Sequence, residues 1–154
     1  MGHWLMKSEP AEVSIDDLAA AKKQTIAWFG VRNYLARNYM REMKLRDRAF
    51  FYHSSCPEPG IAGIVEVSKL AYPDKSQFEA KGKYYDPKAT KDNPRWFNVD
   101  VKLVEKTRLV SIAEMREASA LADMVTLRKG NRLSITPVTA QEWSAVLQLL
   151  KAGR

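Results

Sequence analysis

The stretch "IAGIVEVSKL", Ile61 to Leu70, restricts this chain most. It is apolar on both faces over most of its length, as a strand buried within a sheet is. A second segment, "WFNVDVKLV", alternates instead. Phe97, Val99, Val101 and Leu103 share one face, and Asn98, Asp100 and Lys102 share the other, the period of a half-buried strand. "HWLMK", "AFFYHS" and "RLSITPV" add shorter strands, the first stopping at Pro10 and the last at Pro137. Three helices carry start marks: Ser14 as an N-cap with Asp17 three residues on, and capping boxes at Ser111 with Glu114 and Thr139 with Glu142. The last of them has Trp143, Val146, Leu147 and Leu150 on one stripe. A fourth helix is predicted over Val31 to Leu45, entered through Gly30. Strands and helices do not alternate regularly, which disfavours a doubly wound sheet. The expected class is α+β, a small, mostly antiparallel sheet or barrel decorated by helices.

A chain of 154 residues suits a single domain, here 1–154, with one sizeable core. Its single cysteine, Cys56, rules out an intrachain disulfide and gives no sign of an oxidising compartment. No apolar run approaches the roughly 18–20 residues of a membrane span. "MGHWLMKSEP" lacks the basic and apolar regions of a signal peptide. The expectation is a soluble cytoplasmic protein, a monomer, with no membrane association. The formal net charge of +7 favours anionic partners such as nucleic acid. The one long irregular stretch, "EAKGKYYDPKATKDNPR", runs from Glu79 to Arg95, and a long loop inside a compact domain is often functional.

On a helical wheel of Val31 to Leu45, Leu35, Ala36, Tyr39, Met40 and Met43 form an apolar face. Asn33, Arg37, Arg41 and Lys44 fall opposite. This stripe is either a solvated surface or a track for phosphates. Arg32 falls within the apolar face, where a guanidinium needs partners. It either pairs with an acid such as Asp47 or Asp100, or projects past the helix end into a cavity. Among the four tryptophans, Trp143 and Trp4 read as core and Trp96 is open. Trp28, at a loop–helix junction, either seals the helix or offers a stacking platform. Glu9 is either a surface acid or an acceptor for the amino group of a base such as cytosine.

His53, Cys56 and His3 are too few and too scattered for a tetrahedral metal site. A hydrolase using His53 with Cys56 or Glu9 is the alternative reading. A pocket for a small molecule or nucleotide is another. Against the first, Cys56 lies in the turn "SSCPEPG" with no helix N-terminus to activate it. No phosphate-binding glycine loop or nucleophile elbow occurs.

"WLMKSEP", "WFGVRNYLARNYMREMKLRDRAFFYHSS", "GIAGIVEV", "AYPD", "YYDP", "NPRWFNVDV" and "RLSITPV" follow one another in that order. Together they resemble the EVE domain family over essentially the whole chain. The resemblance implies a PUA-like fold, a compact, strongly bent β-barrel with surrounding helices. It implies kinship with the YTH domains, which read a modified base in an aromatic cage. It further implies binding of a modified base in DNA or RNA, a 5-substituted cytosine foremost, with no cofactor and no enzymatic activity. Carried over by motif, the implied pocket draws on Lys7, Ser8 and Glu9 of "KSEP", on Trp28, and on Gly30, Val31, Arg32 and Asn33 of "GVRN". Tyr52, His53 and Ser54 of "FFYHS" complete it. Arg37, Arg41 and Lys44 are the candidates for flanking phosphates. Animal relatives carry a longer basic N-terminal tail, and a chain starting at the domain fits a bacterial cytoplasmic protein.

Overall fold

The computed structural model describes residues 2–153. Six strands, β1 (His3–Ser8), β2 (Thr25–Ala27), β3 (Arg48–His53), β4 (Gly60–Pro73), β5 (Phe97–Ser111) and β6 (Ile135–Pro137), form one sheet in the order β2-β5-β4-β3-β1-β6. The pairings are antiparallel except for β1 on β3, which is parallel. β4 and β5 are 14 and 15 residues long, and their pairing shifts register at four points. Such bulges bend a strand and raise its twist. The sheet is open and curled, and the α+β class and the bent PUA-like fold implied by the resemblance both fit it.

The sheet separates two apolar clusters, which explains the two-faced apolar run of β4. Met6, Phe51, Val65, Val99 and Val101 pack on one side with Ile15 and Leu18 of α1 (Ile15–Ala20) and Ala36 and Met40 of α2 (Tyr34–Glu42). Leu5, Phe50, Ile61, Ile64 and Val110 pack on the other with Met115 of α3 (Ile112–Glu117) and Trp143 and Val146 of α4 (Ala140–Ala152). The pairs Leu5/Met6 and Phe50/Phe51 thus serve opposite cores, as the period of two requires.

The capping boxes at Ser14/Asp17 and Thr139/Glu142 form in full. At α3 the Ser111 hydroxyl accepts from the Glu114 amide, while the Glu114 carboxylate takes a two-pronged bond from Arg108. Trp4 and Trp143 are buried as expected. The largest departure is α2. Its predicted span of Val31 to Leu45 shrinks to Tyr34–Glu42. Asn33 is the N-cap, accepting from the Ala36 amide at 3.0 Å. Met43 is already extended. The Asp47 carboxylate accepts from the Lys44 amide and holds the chain in a turn. Arg32 therefore precedes the helix and does not lie on its apolar face. Leu35, assigned to that face, is 47% exposed, whereas Ala36, Met40 and Met43 are buried. Among the described residues, no helix is long and apolar enough to cross a membrane.

Candidate nucleic-acid interface

The parallel pairing of β1 with β3 sets Ser8 beside His53, and the chain leaves both strands at the same end. The Ser54 amide donates to the Ser8 carbonyl at 2.9 Å, joining the two exits. Beyond Ser8 the "EPAEV" turn is closed by the Ser8 hydroxyl donating to the Val13 carbonyl at 2.6 Å. Amides of Glu12 and Val13 donate to the Glu9 carbonyl. The segment after β2 is tied down from the other side, where the Trp28 amide donates to Val99. Between these segments lies a cavity of about 430 Å³, within the usual range for ligand pockets.

Eight residues of the implied pocket line it: Lys7, Ser8, Glu9, Trp28, Gly30, Val31, Arg32 and Ser54. Asn33, Tyr52 and His53 do not. Asn33 is used as the cap of α2. Tyr52 points into the opposite core, because it alternates with Phe51 along β3. The His53 Nε2 accepts from the Ile15 amide at 3.1 Å and so anchors the start of α1. Burial holds the His53 pKa below its usual value, which favours the neutral ring this bond requires. With its acceptor nitrogen occupied, His53 supplies no general base to Cys56 or Glu9. Among the described residues no cluster of histidine, cysteine or carboxylate side chains could hold a metal ion.

One wall is a closed polar network around Arg32. The guanidinium donates to the Tyr84 carbonyl through Nε and Nη2, to the Val31 carbonyl through Nη1, and to Ser76 Oγ. It pairs with Asp74 at 3.3 Å. The expected partners are engaged elsewhere: Asp47 accepts from the Trp4 indole and the Gly2 amide, and Asp100 from the Tyr72 hydroxyl. The buried Asp74 also accepts from the Gly30 amide at 2.7 Å and from Ser76. Gly30 has φ +84, and a side chain there would collide with the Tyr84 ring, so glycine is required twice over. Buried Gln77 bonds the Asp74 and Trp96 carbonyls and the Arg95 and Trp96 amides, and thereby closes the 79–95 loop. The Tyr84 hydroxyl bonds both Glu12 oxygens at 2.6 Å, and Lys83 reaches the same carboxylate at 2.7 Å. These bonds, that from Lys83 foremost, hold the Glu12 carboxyl below the usual range.

The basic residues of α2 lie on the same side of the molecule as this wall. Arg32 stands 5.4 Å from the Trp96 ring, Tyr34 stacks on Trp96 at 4.8 Å, and Arg37 lies 4.8 Å above Tyr34. Arg37 also donates to the Arg95 carbonyl. Arg41 covers Phe97 at 4.6 Å, while Lys44 lies exposed beyond the helix end. Trp28 is 6% exposed and meets Phe51 edge to face at 5.4 Å, so it serves the core and the cavity wall together.

The opposite wall has the reverse character. The side chains of Glu9, Ser54, Ser55, Arg132 and Ser134 line the cavity, and among the described residues none of them has a hydrogen-bond or ion-pair partner. Lys7 is half-buried beside the Tyr52 ring, and burial lowers its pKa. Residue-by-residue reasoning missed Asp74, Gln77 and Tyr84. "AYPD" and "YYDP" were visible as motifs, but nothing in the pattern links Asp74 to Gly30 across 44 residues. Phe29 lies in "WFGVRN" and Arg132 and Ser134 in "RLSITPV", but nothing in the residue pattern marked them as cavity wall.

The fold is a small α+β one with a cavity beside the exits of its strands, and residues 2–149 match the EVE domain model. This chain belongs to the EVE domain family. It is 47% identical to human thymocyte nuclear protein 1, over 96% of this chain and 73% of that protein. It superposes on the crystal structure of the human THYN1 protein in complex with 5-methylcytosine-containing DNA with a TM-score of 0.94, at 45% identity and full coverage of both chains. A Pseudomonas syringae protein known by crystal structure is equally similar in sequence, at 45% identity, with a TM-score of 0.92 and coverage of 96% and 98%.

Proposed function

We propose that this chain, acting as a single EVE unit, binds nucleic acid and holds a modified base, a cytosine substituted at carbon 5, in the 430 Å³ cavity. The observation that carries this reading is the wall of unpaired polar side chains facing an aromatic, in a chain that superposes at 0.94 on a relative bound to 5-methylcytosine-containing DNA. These side chains are exposed or half-buried, so no protein group competes for their donors and acceptors when a polar ligand enters the cavity.

In this reading the base leaves its stack to enter the cavity, the route open to proteins that must reach a base face. Trp28 offers the apolar wall. Glu9 accepts from the exocyclic amino group, and the Ser54 hydroxyl bonds the same polar edge. Arg32, Val31 and Gly30 shape the pocket without being spent on the ligand. Arg37 and Arg41 contact flanking phosphates, with Lys44 at the end of the track.

The test is an anisotropy titration of matched DNA and RNA oligonucleotides carrying cytosine or 5-methylcytosine, at two salt concentrations. Tighter binding of one methylated polymer, with the preference abolished in Trp28→Ala, supports the reading. Equal binding of all four that vanishes with salt would show that only the net charge is at work.

A further inference from the structure

Phe29 is anomalous in its surroundings. Trp28 before it is buried, Val31 shortly after it is buried, yet Phe29 is 45% exposed while lining the cavity. Leaving a phenyl in water forgoes much of the roughly 1.5–3 kcal/mol that its burial would contribute. The backbone holds it there. The amide before it is fixed to Val99 and the amide after it to Asp74. Behind the ring stands Tyr84, edge to face at 5.8 Å, itself pinned through its hydroxyl to Glu12. An apolar side chain on a fixed stretch of backbone is thus presented at the cavity wall. The Arg32–Trp96–Tyr34–Arg37 series runs on from Tyr84, so a cationic surface adjoins it.

A base that leaves a duplex opens a gap, and its neighbours lose stacking worth a few kcal/mol. Apolar side chains can enter between the base steps of a duplex, and a ring placed in such a gap stacks on the bases beside it. We infer that Phe29 enters the base stack of duplex nucleic acid at the position vacated by the base held in the cavity. This rests on the base-holding reading above and adds to it a preference for duplex over single strand in the action of one residue. Standing at the cavity wall, the Phe29 ring meets the bases that flank the vacated position.

The experiment compares wild type, Phe29→Ala and Phe29→Leu on one methylated sequence, as a duplex and as a single strand, with 2-aminopurine beside the methylated base. The ring is exposed, so folding is expected to survive, and a thermal melt verifies it. Phe29→Ala should weaken the duplex complex by about tenfold, the equivalent of one stacking contact, and the single-strand complex by less than about twofold. Phe29→Leu should restore most of the duplex affinity. Wild type should change the 2-aminopurine emission in the duplex, and Phe29→Ala should not. Equal losses on both substrates would make Phe29 a plain wall of the pocket and overturn the inference. An unchanged duplex affinity would overturn it too. A wild type that prefers no methylated single strand or duplex would sink the base-holding reading itself, and this one with it.

Discussion

At Arg32 the guanidinium has four different acceptors around it, and its partner Asp74 serves Gly30 and Ser76 as well. Across the cavity, Glu9, Ser54, Arg132 and Ser134 face the same space, and among the described residues their side chains bond to nothing. Both walls are polar, and by residue type they look alike. They differ in whether their hydrogen bonds are already used. A saturated network fixes geometry and adds little new affinity. An unsaturated one leaves donors and acceptors for a ligand.

Breaking the saturated wall should have the largest effect. Asp74→Ala leaves the Arg32 charge half-buried without its counter-ion and the Gly30 amide without an acceptor. A loss of about 3–5 kcal/mol is expected from such a broken pair, read as a drop in the denaturant midpoint. Trp28→Ala should cost a similar amount, about 3–5 kcal/mol, because a core indole is removed along with the cavity wall. It should also erase any preference for a modified base, which a titration well below the melting temperature would detect.

The unsaturated wall should respond in the opposite way. Glu9→Gln should shift stability by no more than about 0.5 kcal/mol. In the titration it should cost about 1–3 kcal/mol of discrimination between base types. If Glu9→Gln proved as destabilising as Asp74→Ala, the contrast between the walls would be false. Further out, Arg37→Ala should weaken all sequences alike and lower the salt slope by about 1.

The smallest effect concerns pH. Burial lowers the His53 pKa in the folded chain relative to 6.5. The unfolded state then binds more protons in that window, so this contribution is fully present above 6.5 and is lost as pH falls through the folded value. The Ile15 amide bond at Nε2 goes with it. His3 is shifted in the same direction, so the comparison is wild type against His53→Asn. The variant should show a shallower loss of stability between neutral and mildly acidic pH.

Local pattern made much of this legible. The alternation of β5, the two-faced run of β4 and the hydroxyl–carboxylate caps of α1 and α4 follow from short-range geometry, and they appear where the sequence places them. The ends of α2 were not legible, because they depend on the Asn33 cap and on Asp47, whose other bonds run to Trp4 and Gly2. The motifs "KSEP" and "GVRN" led to three residues each of the cavity wall. "FFYHS" did so only through Ser54, since strand parity turns Tyr52 away and α1 claims His53. Tyr84 and Asp74 were out of reach, because their contacts with Gly30 and Arg32 span dozens of residues of irregular chain.

By itself, then, the sequence determined every strand but the three-residue β2, the caps of α1 and α4, the positive charge and which motifs carry polar groups, because these depend on residue type and on neighbours within a few residues. Only the tertiary structure decided which polar groups are saturated and which stand free around the cavity, because a hydrogen bond is satisfied by proximity in space and not by distance along the chain.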